Sequence, residues 1–316
     1  MARRIEARYR RHGIEMPPRS RQQAMVPRGA EVLANRLGTA PGLLLRSGDK
    51  LLALLPGVPS EMRDMAERSF LPRLGPATDL YARRVLRIAG LPESEVDRRL
   101  EPVARLSGEV EWTILACPGE VSLHLSELCP PSRPAAGIRR LEEEVERILG
   151  PHLFGRDEET MESVVGRILS SRGETLAVAE SLTGGLVAER VTSVPGASRY
   201  FRGGVVCYSD AAKLRGAGVS ARTLDRHGAV SAEVACEMAR GVRGLLESTW
   251  GLAATGYAGP EGGEGGPPGT AWIALSGPGE TRHRGLSLPG DRDAVRRRAA
   301  MSALDLLRRA LMDAAT

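Results

Sequence analysis

Residues 156–316 alternate short apolar runs with glycine turns and amphipathic stretches, and this order is the strongest constraint on the fold. The run Thr175–Ala179 is typical of a buried strand, and a turn with two glycines and a helical pattern follow it. Further strands are predicted at residues 203–208, 251–255, 270–275 and 281–288, and helices from residues 231 and 291. Strands and helices that alternate in this way pack as a sheet covered by helices. The sequence therefore predicts an α/β fold class with a C-terminal α/β layered domain.

The first half of the chain predicts two smaller units. Short strands are expected at residues 31–33, 42–45 and 50–55, which are too few for a complete α/β domain of ordinary size. Residues 79–155 combine strands and helices in the manner of a small α+β module. We therefore expect three domains, at residues 1–78, 79–155 and 156–316.

Composition and charge argue against several classes of protein. The net charge of +5 is small because 39 acidic residues are interspersed with 44 basic ones, and an aromatic content of 3% leaves few rings for base stacking. Nucleic acid is therefore not expected as a partner. The 4 cysteines form no C-x-x-C pair, so neither a metal site nor a disulfide framework is predicted. No apolar run approaches the roughly 18 residues of a membrane span. These features favour a cytoplasmic protein without membrane association, metal or cofactor.

Lys213 is one of two lysines in a chain whose 44 basic residues are otherwise arginines. A guanidinium keeps its proton, whereas a partly buried ammonium can lose its proton near neutral pH and act as a base. Ser198, Tyr208 and Lys213 lie within one stretch of sixteen residues. We predict that they form a catalytic set in which Ser198 is the nucleophile, Lys213 the base and Tyr208 the assisting group. The alternative is that Lys213 is a lysine without a chemical role.

Serine, tyrosine and lysine also form the catalytic set of short-chain dehydrogenases. Those enzymes space tyrosine and lysine by four residues and carry a glycine-rich dinucleotide turn near the N-terminus. Here Tyr208 and Lys213 are five residues apart, and the N-terminal region has no such turn. The pattern therefore favours a hydrolase in which a serine attacks an amide carbonyl and forms an acyl-enzyme.

Two glycine-rich turns flank this set in sequence and are predicted to bind the substrate. The first joins a buried strand to a helix, so its N–H groups and hydroxyls can hold a phosphate. The second is a glycine loop whose backbone can approach a ligand closely. The predicted binding residues are Glu180, Ser181, Thr183, Gly184 and Gly185 in the first turn, and Thr255, Gly256, Ala258 and Gly259 in the second. The alternatives are that Thr183 only caps the helix and that the second turn is a disordered surface loop.

Several separated motifs in this region resemble the CinA (competence- and damage-inducible) family. They are Leu176–Gly185, Tyr208–Lys213, His227–Ser231, Thr255–Pro260 and Pro289–Arg292. The C-terminal domain of that family is a nicotinamide-nucleotide amidohydrolase. The resemblance implies hydrolysis of nicotinamide mononucleotide to nicotinate mononucleotide and ammonia, a step of pyridine nucleotide salvage, without a metal and by a Ser-Tyr-Lys set that falls on Ser198, Tyr208 and Lys213. It also implies a homodimer.

The chain departs from the family pattern at two motif positions and at its N-terminus. Leu182 stands where the family usually has Cys, and Tyr257 where it usually has Ile, so we expect the fit of the substrate to differ. Residues 1–78 resemble only the second half of a molybdopterin-binding-like domain. Residues 79–155 resemble a KH-like module without the G-x-x-G clamp that binds RNA. Two further functions stay open: a metal-dependent ADP-ribose or nucleotide pyrophosphatase, and a non-catalytic nucleotide-binding remnant.

Overall fold

The computed structural model of the protein describes residues 2–11, 13–74, 80–129 and 135–313. The chain divides into two compact units between residues 79 and 80. The domain boundary that the sequence predicted after residue 78 lies outside the described residues.

The N-terminal unit contains one small antiparallel sheet. Its elements are α1 (Ala2–Arg11), β1 (Glu31–Leu33), β2 (Gly42–Ser47), β3 (Lys50–Leu54) and α2 (Pro59–Met65). The strands pair in the order β1-β2-β3. Leu33, Leu44 and Met65 are buried together and form the core of this unit. A core this small buries little apolar surface, so we expect this unit to contribute little to stability.

The second unit begins with a small antiparallel module. Its elements are β4 (Leu80–Ala89), α3 (Glu93–Ala104), β5 (Glu111–Cys117), β6 (Glu120–Cys129), α4 (Ala136–Leu149) and β7 (Leu153–Arg156). The four strands pair in the order β5-β6-β4-β7. Apolar residues of α3 and α4, including Leu100 and Leu141, pack with Leu86 and Leu123 of the sheet. The module is therefore a two-layer α+β unit.

The rest of the second unit is built on a mixed five-stranded sheet. Its elements are α5 (Met161–Arg172), β8 (Leu176–Glu180), α6 (Leu186–Thr192), β9 (Phe201–Val206), α7 (Asp210–Gly216), α8 (Ala221–His227), α9 (Ala232–Leu245), β10 (Trp250–Gly256), β11 (Thr270–Ser276), β12 (Thr281–Ser287) and α10 (Arg292–Asp313). The strand order is β12-β11-β10-β8-β9. Within the described part of the chain, no helix combines the length and the apolar character that a membrane span requires.

Helices cover both faces of this sheet, and β8 shows why. All five residues of β8 are buried. Leu176 and Val178 pack in the core that contains residues of α5 and α10, whereas Ala177 and Ala179 pack in the core that contains residues of α9. A strand that is buried on both faces reads as a continuous apolar run. The α/β layered arrangement predicted from the sequence is confirmed.

Three neighbouring strands of this sheet run parallel, and their carboxyl ends meet at one edge. β8 pairs in parallel with β9 and with β10, and Glu180 is in register with both Val206 and Ala254. The segments that follow the three strands therefore leave the sheet side by side. In open α/β sheets, ligands bind in the crevice outside the carboxyl ends of the strands.

Candidate active site

A cleft of about 290 Å³ lies at this edge of the sheet. It is lined by Ser181, Leu182, Tyr208, Asp210, Lys213, Ala229, Val230, Gly256, Tyr257, Ala258, Gly259, Glu261 and Arg292. Residues that follow β8, β9 and β10 are all present in this lining. The cleft therefore brings together chemical groups from three strand ends, as the topology requires.

Lys213 is buried in the wall of this cleft. It lies on α7, whose first turn is capped by the Ser209 hydroxyl, which accepts a hydrogen bond from the N–H of Ala212 over 3.2 Å. The Lys213 side chain is 4% exposed, and its Nζ lies 3.8 Å from Oδ1 of the exposed Asp210. Burial lowers the pKa of Lys213, and the charge of Asp210 opposes part of this shift. Lys213 therefore has the environment of a lysine that acts as a base.

Tyr208 is held at the mouth of the cleft by Arg292. Nη2 of Arg292 donates to the phenol oxygen over 2.6 Å, and Nη1 donates to the carbonyl oxygen of Gly259 over 2.7 Å. One guanidinium therefore joins the segment after β9 to the segment after β10. The phenol oxygen accepts in this contact, so the Tyr208 hydroxyl can donate its own hydrogen to a ligand.

Ser198, the nucleophile predicted from the sequence, does not lie at this cleft. It belongs to a short exposed 3₁₀ turn that precedes β9, whereas Tyr208 follows β9. The 6 residues of β9 separate the two ends, and extended strands rise about 3.3 Å per residue, which corresponds to ~20 Å. A hydroxyl at the amino end of a strand cannot exchange a proton with Lys213 at the other end.

Ser181 is the serine that the fold places with Tyr208 and Lys213. It follows Glu180, the last residue of β8, and its N–H donates to the carbonyl oxygen of Ala254 over 2.9 Å. This backbone contact fixes Ser181 between the ends of β8 and β10. The sequence had identified Ser181 as a binding residue only, and its place in the cleft lining is now consistent with a chemical role.

Glu180 caps a helix and does not face the ligand. Its carboxylate accepts hydrogen bonds from the N–H groups of Gly185, Val187 and Ala188 over 3.0, 3.0 and 2.8 Å, and the residue is 2% exposed. These N–H groups at the start of α6 are the ones that the sequence predicted would hold a phosphate. The chain's own carboxylate satisfies them, so the predicted phosphate cradle is occupied from within.

The remaining residues of the first turn shape the backbone. Gly184 and Gly185 have φ values of +61° and +97°, which favour glycine. The N–H of Gly184 donates to the carbonyl oxygen of Ser181, and neither glycine belongs to the cleft lining. Thr183 is fully buried, its hydroxyl has no hydrogen-bond partner among the described residues, and its carbonyl oxygen accepts from Arg296 over 2.9 Å. The structure therefore does not support Thr183, Gly184 and Gly185 as direct ligand contacts.

The second turn contributes to the cleft, except for its first residue. Gly256, Ala258 and Gly259 line the cleft as predicted binding residues would. Thr255 is fully buried and donates from its hydroxyl to the carbonyl oxygen of Ala229 over 2.8 Å. It therefore positions the Ala229 segment of the cleft wall and is not itself in the lining.

Both positions that depart from the family pattern, Leu182 and Tyr257, line the cleft. The Tyr257 hydroxyl accepts from the N–H of Gly265 over 3.4 Å. A side-chain carbon on Gly263 would come within 2.6 Å of the Tyr257 ring. The ring and the glycine loop are therefore packed against each other, and the start of the loop forms part of the wall.

Asp210, Glu261 and Arg292 were not assigned roles from the sequence, although all three line the cleft. Asp210 lies in the first turn of α7, and a helix was not predicted there. Arg292 was quoted only as part of a motif. The signal for both was their place near the start of a helix that begins at the ligand-binding edge, where a side chain can reach a ligand.

Comparison with known proteins places the chain in a family. The model of the CinA C-terminal domain matches residues 158–311, and the model of the KH domain of damage-inducible protein CinA matches residues 83–155. A CinA-like protein from Acaryochloris marina is 42% identical over 303 residues, which cover 93% of this chain and 72% of that protein. The chain belongs to the CinA family. The resemblance noted in the sequence is thereby confirmed at the level of the family.

Other relatives carry similar names. A CinA-like protein from Myxococcus xanthus is 41% identical over 319 residues, which cover 98% of this chain and 76% of that protein. The crystal structure of competence damage-inducible protein A (ComA) from Klebsiella pneumoniae is 38% identical, covers 48% of this chain and 95% of that chain, and has a TM-score of 0.47. These names give the family without stating a reaction.

Proposed function

We propose that this CinA family member is a serine amidohydrolase that converts nicotinamide mononucleotide to nicotinate mononucleotide and ammonia. The observation that carries the proposal is the joint presence of Ser181, Tyr208 and the buried Lys213 in one cleft at the carboxyl edge of the sheet. This replaces Ser198 by Ser181 in the set expected from the sequence. The reaction type is the one that a serine beside a lysine of lowered pKa can catalyse.

The charges of the cleft are consistent with a substrate that carries both signs. Nicotinamide mononucleotide has a cationic pyridinium ring and an anionic phosphate. Asp210 and Glu261 offer carboxylates to the ring side, and Arg292 offers a guanidinium to the phosphate. Because Glu180 already satisfies the start of α6, Arg292 is the group that we assign to the phosphate.

In the proposed first step, Ser181 attacks the carbon of the carboxamide while Lys213 accepts the Ser181 proton. The new Oγ–C bond gives a tetrahedral intermediate with a negative oxygen. Leu182 follows Ser181 directly and lines the cleft, and its N–H has no backbone acceptor among the described residues, so this N–H is available to that oxygen. Tyr208 orients the reacting groups from the mouth of the cleft.

The second half of the reaction returns the proton. Lys213 donates to the amide nitrogen, the C–N bond breaks, and ammonia leaves an acyl group on Ser181. Water then attacks the acyl carbon while Lys213 accepts a proton from that water. Lys213 then donates that proton to Oγ of Ser181 as the acyl C–O bond breaks, which regenerates the Ser181 hydroxyl and neutral Lys213. The product leaves as a carboxylate after its remaining acidic proton passes to solvent.

The test is ammonia release from nicotinamide mononucleotide by the purified chain in the presence of a chelator. We expect Ser181→Ala to abolish release and Ser198→Ala to leave it unchanged, because only Ser181 lies in the cleft. The proposal fails if the unmodified protein binds the nucleotide without releasing ammonia. The choice of nucleophile fails if Ser198→Ala is inactive while Ser181→Ala retains activity.

A further inference from the structure

A second cleft, of about 600 Å³, lies between the small module and the C-terminal domain within the second unit. Its walls come from the turn between β4 and α3, the turn between β5 and β6, strand β12 and helix α10. None of its lining residues belongs to the catalytic cleft. The proposed amidohydrolase reaction therefore gives this cleft no role.

Two arginines lie on the wall of the second cleft, and their side chains have no partner within the described part of the chain. The side chains of Arg284 and Arg298 form no ion pair or hydrogen bond with any residue that the structure describes, whereas 16 other arginines form ion pairs with carboxylates. Nε of Arg298 is buried and has no acceptor. Arg84 also has a buried Nε without a hydrogen bond, but that atom lies 3.0 Å from Oε2 of Glu142. The half-buried side chain of Arg298 therefore carries a buried donor that no described residue satisfies.

An unpaired buried donor is costly, because a polar group without a hydrogen bond in the interior loses about 1–3 kcal/mol of stability. Such a group is expected to have a partner that is absent from the isolated chain. For a guanidinium, the partner is an anionic oxygen, and phosphate and carboxylate oxygens match its geometry best. The carboxylates of the same wall must therefore be considered first.

The acidic residues of the wall do not neutralise the two arginines. Oε1 of Glu120 accepts from Nη1 of Arg87 over 2.6 Å, so its charge is already balanced. Glu93 is exposed in the first turn of α3 and can remain in water. The lining therefore contains one exposed carboxylate and two guanidinium groups that no described carboxylate neutralises, so its net charge is positive.

The rest of the wall is largely apolar. The apolar lining residues are Leu91, Pro92, Ala116, Pro118, Val121, Leu286, Leu288 and Pro289. A cleft that combines apolar walls with a few charged groups is typical of sites for small organic ligands. Its volume exceeds what a bare inorganic anion fills. The ligand class that fits is an organic phosphate with a flat apolar part.

We propose that this second cleft is a binding site for a small organic phosphate, whose phosphate oxygens contact Arg284 and Arg298. Cys117, the last residue of β5, provides a local reporter because it is exposed and lines the cleft. Cys129 and Cys207 are buried, and Cys236 is half-buried away from this cleft. Alkylation of Cys117 therefore reports on this cleft and not on the catalytic one.

The experiment measures the rate at which iodoacetamide, a neutral reagent, alkylates Cys117 in the full chain, read by mass spectrometry. The probe is adenosine monophosphate, and adenosine is its uncharged control. At a concentration about tenfold above Kd, only roughly a tenth of the sites are free, so we expect alkylation of Cys117 to slow about tenfold. Adenosine should give little protection, and the alkylation rate of Cys236 should not change.

Three variants make the result specific. Arg298→Gln and Arg284→Gln should each weaken the protection, and because Arg284 is exposed, its variant remains informative if Arg298→Gln fails to fold. Arg297→Gln is the matched control, since Arg297 is exposed on the same helix and paired with Asp293 over 2.6 Å. The proposal is overturned if adenosine monophosphate gives no protection, if adenosine protects equally, or if all three variants lose protection alike.

Discussion

Arg292 donates to the phenol oxygen of Tyr208 over 2.6 Å and so connects α10 to the segment that follows β9. The same guanidinium reaches Gly259 in the glycine loop. A single side chain therefore fixes the relative positions of two walls of the catalytic cleft. It is also the positive group that we assign to the substrate phosphate. A substrate without a phosphate depends only on the positioning role, so comparing two substrates separates the two roles.

Arg292→Gln should raise the KM for nicotinamide mononucleotide. A hydrogen bond to a charged group contributes about 1.5–3 kcal/mol, which corresponds to a roughly 10- to 100-fold change. Nicotinamide riboside lacks the phosphate, so its kcat/KM should change much less. Steady-state ammonia release with both substrates checks this. An equal loss with both would mean that Arg292 acts only by positioning Tyr208 and Gly259.

Lys213→Met should abolish most of the activity while leaving the fold intact. General base catalysis contributes about 10²–10⁴-fold, so kcat should fall by that order. Lys50 is the only other lysine of the chain and is exposed on β3, so Lys50→Met is the matched control and should keep full activity. Comparable turnover by Lys213→Met and the unmodified chain would remove Lys213 from the mechanism.

The lowered pKa of Lys213 also predicts a pH dependence of activity. Because only the neutral amine accepts a proton, kcat/KM should rise with pH until the lowered pKa of Lys213 is passed. The rising part of the pH profile should lie below the ordinary lysine pKa of 10.5. A pH profile of ammonia release locates it. A profile that is flat up to the ordinary lysine range would show that no buried amine limits the rate.

The same shift makes stability depend on pH. Between the lowered pKa of folded Lys213 and the ordinary value of 10.5, the unfolded chain binds more protons, so the free energy of unfolding rises with pH in that window. Below the window, burial of the charged amine destabilises the fold. Lys213→Met should therefore be more stable than the unmodified chain near neutral pH, and the difference should shrink by about pH 10. Urea unfolding at both pH values measures it, and a difference that is constant with pH would contradict the assignment.

Glu180→Gln should destabilise the protein. The substitution removes the negative charge of a carboxylate that accepts hydrogen bonds from three N–H groups at the start of α6. Hydrogen bonds to charged groups contribute about 1.5–3 kcal/mol to the free energy of unfolding. Glu189 lies on the same helix but is exposed, so Glu189→Gln should change stability by less than about 0.5 kcal/mol. Thermal unfolding of both variants tests this. If both are equally stable, Glu180 does not anchor the turn that carries Ser181.

Gly241 and Gly244 of α9 are a matched pair of positions for testing how α9 packs against the segment that follows Lys213. A side-chain carbon on Gly241 would come within 1.7 Å of the carbonyl oxygen of Ala217, whereas one on Gly244 meets nothing within 4 Å. The N–H of Ala217 donates to the carbonyl oxygen of Lys213. Gly241→Ala should therefore cost about 1–3 kcal/mol or more and impair activity, while Gly244→Ala should be neutral or stabilising by up to about 1 kcal/mol. Equal unfolding midpoints would contradict this packing.

The central strands β8 and β10 were predictable because they are continuous buried runs. The predicted strand at residues 175–179 and the observed β8 at Leu176–Glu180 differ by one residue at each end. The order of strands in the sheet and their direction were not predictable, since they depend on contacts between distant segments. Helices α7 and α8, of 7 residues each, were not predicted from the sequence.

Several residues of the candidate site were predicted from the sequence, but the serine that lies with Tyr208 and Lys213 was not predicted correctly. Lys213 was identified because lysine is rare in this chain, and Tyr208 because it is close to Lys213 in sequence. Both residues line the cleft. Ser198 was chosen because it is close in sequence, yet the strand predicted between it and Tyr208 already separated them. Glu180 was given to the ligand because a sequence does not reveal that a carboxylate folds back onto the helix that follows it.

The separation of Ser198 from the catalytic cleft has a practical consequence. The exposed turn that contains it precedes β9, at the edge of the sheet opposite the catalytic cleft. A Ser198→Cys variant would offer a thiol there for coupling the protein to a surface or to a dye. A molecule tethered at that point would keep its substrate entrance directed toward the solution.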